Sequence, residues 1–541
     1  MSVTDYKKLI TEKGGLPENC YILGIDLGTT NSVISFFDSS SKKPEVIDLS
    51  NGFGKAPMPS VVQFRKDDYT GESEWVIGEE AYRSMKIYPH TTVRSIKRQM
   101  GTSEKVMLGK TSYKPEEISA KILSELVKSC YNLNPKAEIA GVVVSVPYDF
   151  DDAAKKATVR ACELAGLSDS LICLIEEPKA AALAYNFRHD LNKSEKIMVF
   201  DFGGGTLDIT VFHVVDKDDA CIKLQVISEG GEASHGGDNI DEIILNECYR
   251  IIEQKTGQSK ESIDIENQVD LIMKARESKE RLSGVKSFRI PFTFCIPPFV
   301  EQITRERLNE MISDFIEKTK NLVINTLNDA YAGAVLPSEI DRVLLEGGSS
   351  QMPWVRDMLV EIFEDESKIY SSERPALDIS LGAAYYAAMK MGLLSADDIA
   401  LQGPAVEFEV VTPHDIGVEV AAPNGSQFFA LIKRGTPYVL AKRSRLFTLS
   451  GSTDEDMTLF KLKVLERIDK DDDIDKCKMI GQFDVKGLPN RPSGKTKLKI
   501  TLSVTEDGGL VTGSAEDMGF SDEFEPSGIK ETLRSDLTWD T

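Results

Sequence analysis

At 541 residues the chain is too long for one ordinary core, so two or more domains are expected. Apolar residues make up 41% and charged residues 28%, a globular profile with room for a large core. The 64 basic residues against 87 acidic ones leave a net charge of −23, and so acidic a surface speaks against nucleic acid and membrane as partners.

The opening "MSVTDYKKLITEKGG" has no apolar stretch of the secretory kind, and residues 1–20 are read as an N-terminal extension. No run of about 18 apolar residues follows, so no membrane-spanning helix is expected. The eight cysteines (20, 130, 162, 173, 221, 248, 295 and 477) form no CxxC pair. That disfavours structural zinc and a disulfide framework and fits a reducing, cytoplasmic setting. The five histidines are too dispersed for a metal cluster.

Residues 21–401 alternate strand-like and helix-like segments, which predicts an α/β unit with its function in the turns. "GIDLGTTNS" (24–32) places Asp26, Gly28, Thr29, Thr30 and Asn31 where an apolar strand turns. "GVVVSVP" (141–147) reads as a buried strand followed by the helical "DDAAKKATVRACELAG". "KIMVFDFGGGTLDITVFHVV" (196–215) reads as strand, tight glycine turn, strand. "RVLLEGGSSQMPWVRDMLVEIF" (342–363) reads as strand, glycine loop, helix, and "DISLGAAYYAAMKMG" as a long helix whose small residues allow close packing.

Glycine lets backbone approach a ligand, and successive N–H groups in such a turn cup an anion. Hydroxyls of Thr29, Thr30 and Thr206 add donors for phosphate. Asp26 and Asp201 would repel phosphate unless a divalent cation sits between, held through water. Magnesium with a nucleoside triphosphate is the sharp reading. Polar-tipped hairpins are the plain one, and either motif alone leaves both open. Two such turns, each at the start of an α/β half, favour a duplication that clamps phosphates across a cleft. Neither a GxxxxGK[ST] loop nor a GxGxxG fingerprint is intact.

The motifs "GIDLGTTNS", "VVVSVPYDF", "LIEEPKAAALAY", "VFDFGGGTLDIT", "HGGDNID" and "VLLEGGSSQMP", in this order over residues 22–390, resemble the seventy-kilodalton heat-shock chaperone family, the DnaK type. The resemblance implies an actin-like, two-lobed ATPase domain followed by an all-β antiparallel sandwich that binds peptide. It implies ATP/ADP and Mg2+ as cofactors, with K+ as a further ion. Its implied partners are unfolded polypeptide clients, a J-domain co-chaperone and a nucleotide exchange factor. On the matching positions, Asp26, Gly28, Thr29, Thr30 and Asn31 form the first phosphate loop. Asp201, Gly203, Gly204, Gly205, Thr206 and Asp208 form the second. Lys97 would orient the attacking water and the γ-phosphate, and Glu177 would lie near the metal and that water. Gly236 and Gly237 flank the nucleotide. Lys279 and Ser283 are kept, and Gly347, Gly348 and Ser349 match the adenosine-side loop. From the residues alone, Lys97 reads first as a solvated surface lysine, and Glu177 reads also as a helix N-terminal carboxylate.

Three positions depart from the family near the adenine and ribose: Arg276 stands for glutamate, Gln351 for arginine and Ala376 for aspartate. Residues 402–413 read as an interdomain linker. There "VEFEVV" departs from the leucine-rich family segment and suits either a docking strand or the first strand of the next domain. Residues 414–515 alternate as antiparallel strands do, notably Leu498, Ile500, Leu502 and Val504. Val418, Ala421, Phe447, Thr458 and Phe460 align loosely with the family's peptide pocket, with core packing the alternative. Residues 516–541 read as a poorly ordered acidic tail. No long amphipathic pattern resembling the family's helical lid follows the last strand, so fast peptide exchange is expected. The leading expectation is a chaperone that couples slow ATP hydrolysis to peptide binding and release. The alternative is a scaffold relative that binds ATP with little turnover and acts through a J-domain protein or the ribosome. A small-molecule kinase on the same fold is disfavoured, because the β domain would then lack a purpose.

Overall fold

Two hairpins built on one plan organise the larger part of the chain. The computed structural model describes residues 1–49, 57–66, 73–186, 191–217, 221–331, 333–394, 405–409, 411–412, 414–422, 425–450, 459–468, 472–505 and 510–533. The chain divides into two compact units, residues 1–149 with 157–408, and residues 150–156 with 409–541.

The N-terminal extension is a docked helix, α1 (Val3–Lys13). Ser2 and Asp5 cap it reciprocally, and Gly14 closes it in the left-handed region at φ 71°. Its buried residues are Tyr6 and Ile10, and the Tyr6 hydroxyl donates to Glu138 at 2.7 Å.

Strands β1 (Cys20–Asp26), β2 (Asn31–Asp38), β3 (Lys43–Val46), β4 (Glu138–Val146) and β5 (Leu171–Glu176) make a sheet in the order β5-β4-β1-β2-β3. Strands β6 (Lys196–Phe202), β7 (Leu207–Lys217), β8 (Cys221–Glu232), β9 (Arg342–Glu346) and β10 (Ile369–Ser371) make a second, in the order β10-β9-β6-β7-β8. The plan is the same in both. A central strand turns back through an antiparallel hairpin on one side and has parallel neighbours on the other. That identity of order and direction is the structural form of a duplication. The parallel strands are apolar on both faces because helices cover both, as in Val142, Val143 and Val144, all fully buried.

Five helices frame the cleft or the strands that carry it: α1, α2 (Glu177–Asn186), α3 (Gly237–Thr256), α4 (Ile265–Gly284) and α5 (Pro375–Met391). The small residues of α5 let it lie close on β1 and α2. A further strand, β11 (Ala405–Glu409), extends the second sheet beyond β8. Of the linker segment, residues 402–404, 410 and 413 lie outside the described residues.

The second unit is an antiparallel sandwich. One sheet runs β13-β12-β15-β16, from β12 (Asp415–Ala422), β13 (Gly425–Ile432), β15 (Leu459–Arg467) and β16 (Lys478–Lys486). The other runs β14-β17-β18-β19, from β14 (Lys442–Thr448), β17 (Lys497–Val504), β18 (Val511–Asp517) and β19 (Lys530–Thr532). Val418, Ile432, Val464, Phe483, Ile500 and Leu502 fill the space between them. Along β17 burial alternates residue by residue, as its sequence predicts.

The segment read as an acidic tail is corrected here: through residue 533 it is part of the sandwich. Asp517 is the reason. It is fully buried and takes Arg491 in a two-pronged ion pair at 2.7 and 2.9 Å. It also accepts from the Gly519 and Ser527 amides at 3.1 and 2.9 Å, which folds the following segment back so that β19 pairs with β18. Burial alone would raise the Asp517 pKa, but Arg491, Ser527 and Gly519 together hold it at about 2. Its folded pKa lies below its unfolded value, so its stabilising contribution is present above about pH 4 and is lost as pH falls toward 2. We expect Asp517→Asn to leave a buried guanidinium unpaired and cost about 3–5 kcal/mol at neutral pH. The cost should shrink on acidification over that window, read by urea unfolding across pH.

Candidate functional site

The site is built where the two hairpins meet. β1 delivers Asp26 to its end, Gly28-Thr29-Thr30 form the turn, and Asn31 opens β2. β6 delivers Asp201, Gly203-Gly204-Gly205-Thr206 form the turn, and Asp208 pairs with Asp201 across β7. The turns face each other at contact distance. A Cβ built on Gly204 would lie 1.7 Å from the Thr30 hydroxyl, and one on Gly205 would lie 2.5 Å from that of Thr29. No side chain fits there, which is why this turn is glycine. Gly347, at φ +76°, opens the third loop where a side chain would strike the Phe202 carbonyl.

A cavity of about 310 Å³ lies between these loops. Asp26, Gly28, Thr29, Thr30, Asn31, Lys97, Glu177, Asp201, Gly203, Gly204, Gly205 and Thr206 are among its lining residues. Lys279, Ser283, Gly347, Gly348 and Ser349 line it too, as do Arg276, Gln351 and Ala376. Three expected residues stand behind the wall. Asp208 is fully buried and accepts from Thr206 at 2.8 Å. Gly236 and Gly237 begin α3, and the Gly237 amide donates to the Gly203 carbonyl at 3.0 Å. Gly237 also offers its carbonyl to the Lys279 ammonium at 2.8 Å, so the two glycines position loops rather than line the cavity.

Lys97 and Glu177 are both buried and paired by a hydrogen bond. This excludes the solvated-lysine reading of "RSIKRQ". Lys97 sits in a short helical turn launched from Ser95, whose backbone is left-handed at φ 56°. Glu177 starts α2, where the strand β5 ends, so it stands at a helix N-terminus and also lines the cavity. Sequence reasoning missed the residues that lock the loops. Asp238 accepts from Thr30 at 3.2 Å and from Ser95 at 2.6 Å. Arg98 donates to the Gly205 carbonyl at 2.9 Å and to Asn239 at 2.8 Å. Ser145 donates to Asp26 at 2.9 Å. Only Ser145 left a signal, a lone hydroxyl inside the apolar run "GVVVSVP".

Burial pushes the Asp26 pKa up to about 7, and the Glu177 charge adds to it. Burial raises Asp201 and Asp208 well above the carboxylate range, and neighbouring carboxylates raise them further. Burial opposes the Lys97 charge, but Glu177 and Asp26 outweigh it and the lysine's pKa rises. Four carboxylates thus face one lysine, and Asp208 Oδ1 is buried with no hydrogen-bond partner. Such a donor set suits a cation. Among the described residues no three His, Cys, Asp or Glu side chains converge to hold a metal directly. A hydrated magnesium keeps several waters and needs no such cluster.

At the far end of the cavity the Arg276 guanidinium is held by Glu280 at 2.9 Å and lies 5.1 Å from the centre of the Tyr82 ring. Glu280 lines the cavity too. In the sandwich Val418 is fully buried, so it is a core position and not an exposed pocket wall. Ala421 is exposed, while Phe447 and Phe460 are half-buried against the core. Thr458 lies outside the described residues.

Paired sheets of one strand order, each presenting a glycine hairpin to a common cleft, define the actin-like ATPase class, here with a β-sandwich in the same chain. The chain belongs to the Hsp70 family: a model of that family, described as Hsp70 protein, matches residues 22–536. The chain is similar to the chaperone protein DnaK of Thermosipho melanesiensis, 31% identical over 511 residues that cover 92% of this chain and 78% of the relative. DnaK of Thermotoga maritima is 31% identical over 514 residues with the same coverage. DnaK of Ureaplasma parvum is 32% identical over 506 residues, covering 92% and 76%. Members of the family are ATPases that bind ATP and ADP with magnesium, and this chain is an Hsp70-type ATPase. Among the described residues no helix is long and apolar enough to cross a membrane.

The contact between the turns gives a direct test. We expect Gly204→Ala to force Thr30 away, to lower stability by about 1–3 kcal/mol and to weaken ATP binding about tenfold. Calorimetric titration of the purified protein measures it.

Proposed function

We propose that the cleft grips the polyphosphate of ATP between its two glycine turns and hydrolyses it, and that this cycle controls binding and release of extended polypeptide by the sandwich. The observation that carries the reading is the opposition of Thr29 and Thr30 to Gly204 and Gly205, with the buried Lys97–Glu177 pair in the same cavity. Backbone amides and threonine hydroxyls of the turns would hold the phosphates. Asp26 and Asp201 would hold magnesium through its waters, and the bound cation supplies charge neutralisation at the phosphates. Lys97 brings a positive charge to the carboxylate-lined part of the cavity, and Glu177 fixes its position. Thr206, tied to Asp208, presents its hydroxyl at the second turn. Phosphoryl transfer needs little covalent chemistry, so positioning and charge do most of the work. Lys279, Ser283, Gly347, Gly348 and Ser349 would border the nucleoside. Potassium is a further ion on this reading.

The partners on this reading are unfolded clients, a J-domain protein and a nucleotide exchange factor, in the cytoplasm. The cysteines Cys20, Cys130, Cys162, Cys173, Cys248, Cys295 and Cys477 are all free thiols, which suits a reducing compartment. The strand β11 is the candidate coupling element. Its Phe408 ring lies 5.9 Å from that of Phe212 in the second sheet. An edge strand that docks in one nucleotide state and leaves in another would carry the signal.

A second reading, ATP binding with little turnover, is favoured by one feature. Arg276, locked onto Glu280, occupies the nucleoside end where the family has glutamate.

Single-turnover hydrolysis with and without an apolar peptide and a J-domain protein separates the two. On the first reading Lys97→Ala abolishes hydrolysis, a loss of about a hundredfold or more, while ATP still binds. On the second the wild type already binds without turnover. Phe408→Asp should leave ATP binding and hydrolysis intact and abolish ATP-driven peptide release, measured by stopped-flow fluorescence. Unchanged release in that variant excludes the coupling role of β11.

A further inference from the structure

The sandwich leaves two edge strands side by side. β13 ends one sheet and β14 the other, and they touch through Phe429 and Phe447, whose rings stand 5.6 Å apart and nearly perpendicular. β14 reads Lys442-Arg443-Ser444-Arg445-Leu446-Phe447-Thr448 and is exposed along most of its length. Its register with β17 sets Arg443 opposite Leu502, Arg445 opposite Ile500 and Phe447 opposite Leu498. Residues opposite in a ladder share a face. Leu498, Ile500 and Leu502 form the buried side of β17, so both arginines occupy the side of the sheet that is otherwise apolar.

Among the described residues neither arginine pairs with a carboxylate. Arg445 lies over the Phe429 ring, 4.3 Å from its centre. Arg443 turns onto the Leu440 and Lys442 carbonyls. A guanidinium stacked on an aromatic face keeps its in-plane donors directed sideways, the geometry that receives a carboxylate with two hydrogen bonds. In a chain of net charge −23, three cations in four residues at one open edge form a concentrated positive strip.

We propose that this edge receives an extended polypeptide bearing carboxylates at two alternate positions, paired to Arg443 and Arg445, and an apolar residue at the next alternate position, against Phe429 and Phe447. The proposal rests on the polypeptide-binding reading and names the client class. The spacing follows from strand geometry. Arg443 and Arg445 are two residues apart on one face, so an extended partner meets them with side chains two apart. The free edge of β14 can take such a partner as an added strand. Edge charges serve also to block sheet-to-sheet association, and that role predicts no preference among peptides.

Fluorescence anisotropy with the full chain decides. The probes are a labelled peptide with glutamate at two alternate positions and leucine at the next alternate position, and its twin with glutamine for glutamate, each at low and high ionic strength. We expect the acidic peptide to bind at least about tenfold tighter at low salt, with the advantage falling several-fold at high salt. In the Arg443→Gln, Arg445→Gln double variant it should fall below about threefold, with an unchanged gel-filtration profile. Equal affinities for the two peptides in the wild type overturn the acidic preference and leave polypeptide binding standing. Failure of both peptides to bind overturns the polypeptide-binding reading as well. A variant that self-associates yet keeps the wild-type preference assigns the arginines to edge protection and overturns the proposal.

Discussion

The structure of the larger unit depends on one close approach, that of Thr29 and Thr30 on the first turn to Gly204 and Gly205 on the second. Neither turn accomplishes anything alone. Together they leave a crevice whose walls are backbone and hydroxyls, the surface that a polyphosphate needs. The rest of the local structure holds this approach. Asp238 ties Thr30 to Ser95, and Arg98 takes the carbonyls of the glycine turn. Both devices join parts of the chain more than a hundred residues apart.

The approach also concentrates charge. Asp26, Glu177, Asp201 and Asp208 are buried around a single lysine, and burial drives the three aspartates toward their neutral forms. Such a cluster is costly to fold and has no packing purpose. It fits a site whose work is to meet a cation and an anionic substrate together. Arg276 and Glu280 line the same cavity and hold each other.

Much of the fold was legible in the sequence because its signals are local. Period-two alternation in β17, the apolar run of β4 and the small residues of α5 each lie within a dozen residues or so and mean what they suggest. The acidic end of the sandwich was misread for the opposite reason. Composition suggested a solvated tail, but Asp517 has a partner, Arg491, 26 residues earlier, and two amides downstream. The N-terminal segment likewise gained its place from Tyr6 meeting Glu138, 132 residues away. Val418 was legible as an apolar strand residue, but whether it faced a ligand or the core was decided by the packing of the two sheets.

The sequence by itself determined the turns, the strands that carry them, their duplication and the chemistry of their residues. These follow from backbone freedom at glycine and from side-chain type, properties that each residue carries with it. Only the tertiary structure decided that Lys97 is buried against Glu177, that Asp208 and the Gly236–Gly237 pair stand behind the wall, and that two arginines share the apolar side of their sheet. Those outcomes depend on which distant segments are brought into contact, and a pairwise energy between residues eighty or two hundred positions apart leaves no periodic trace along the chain.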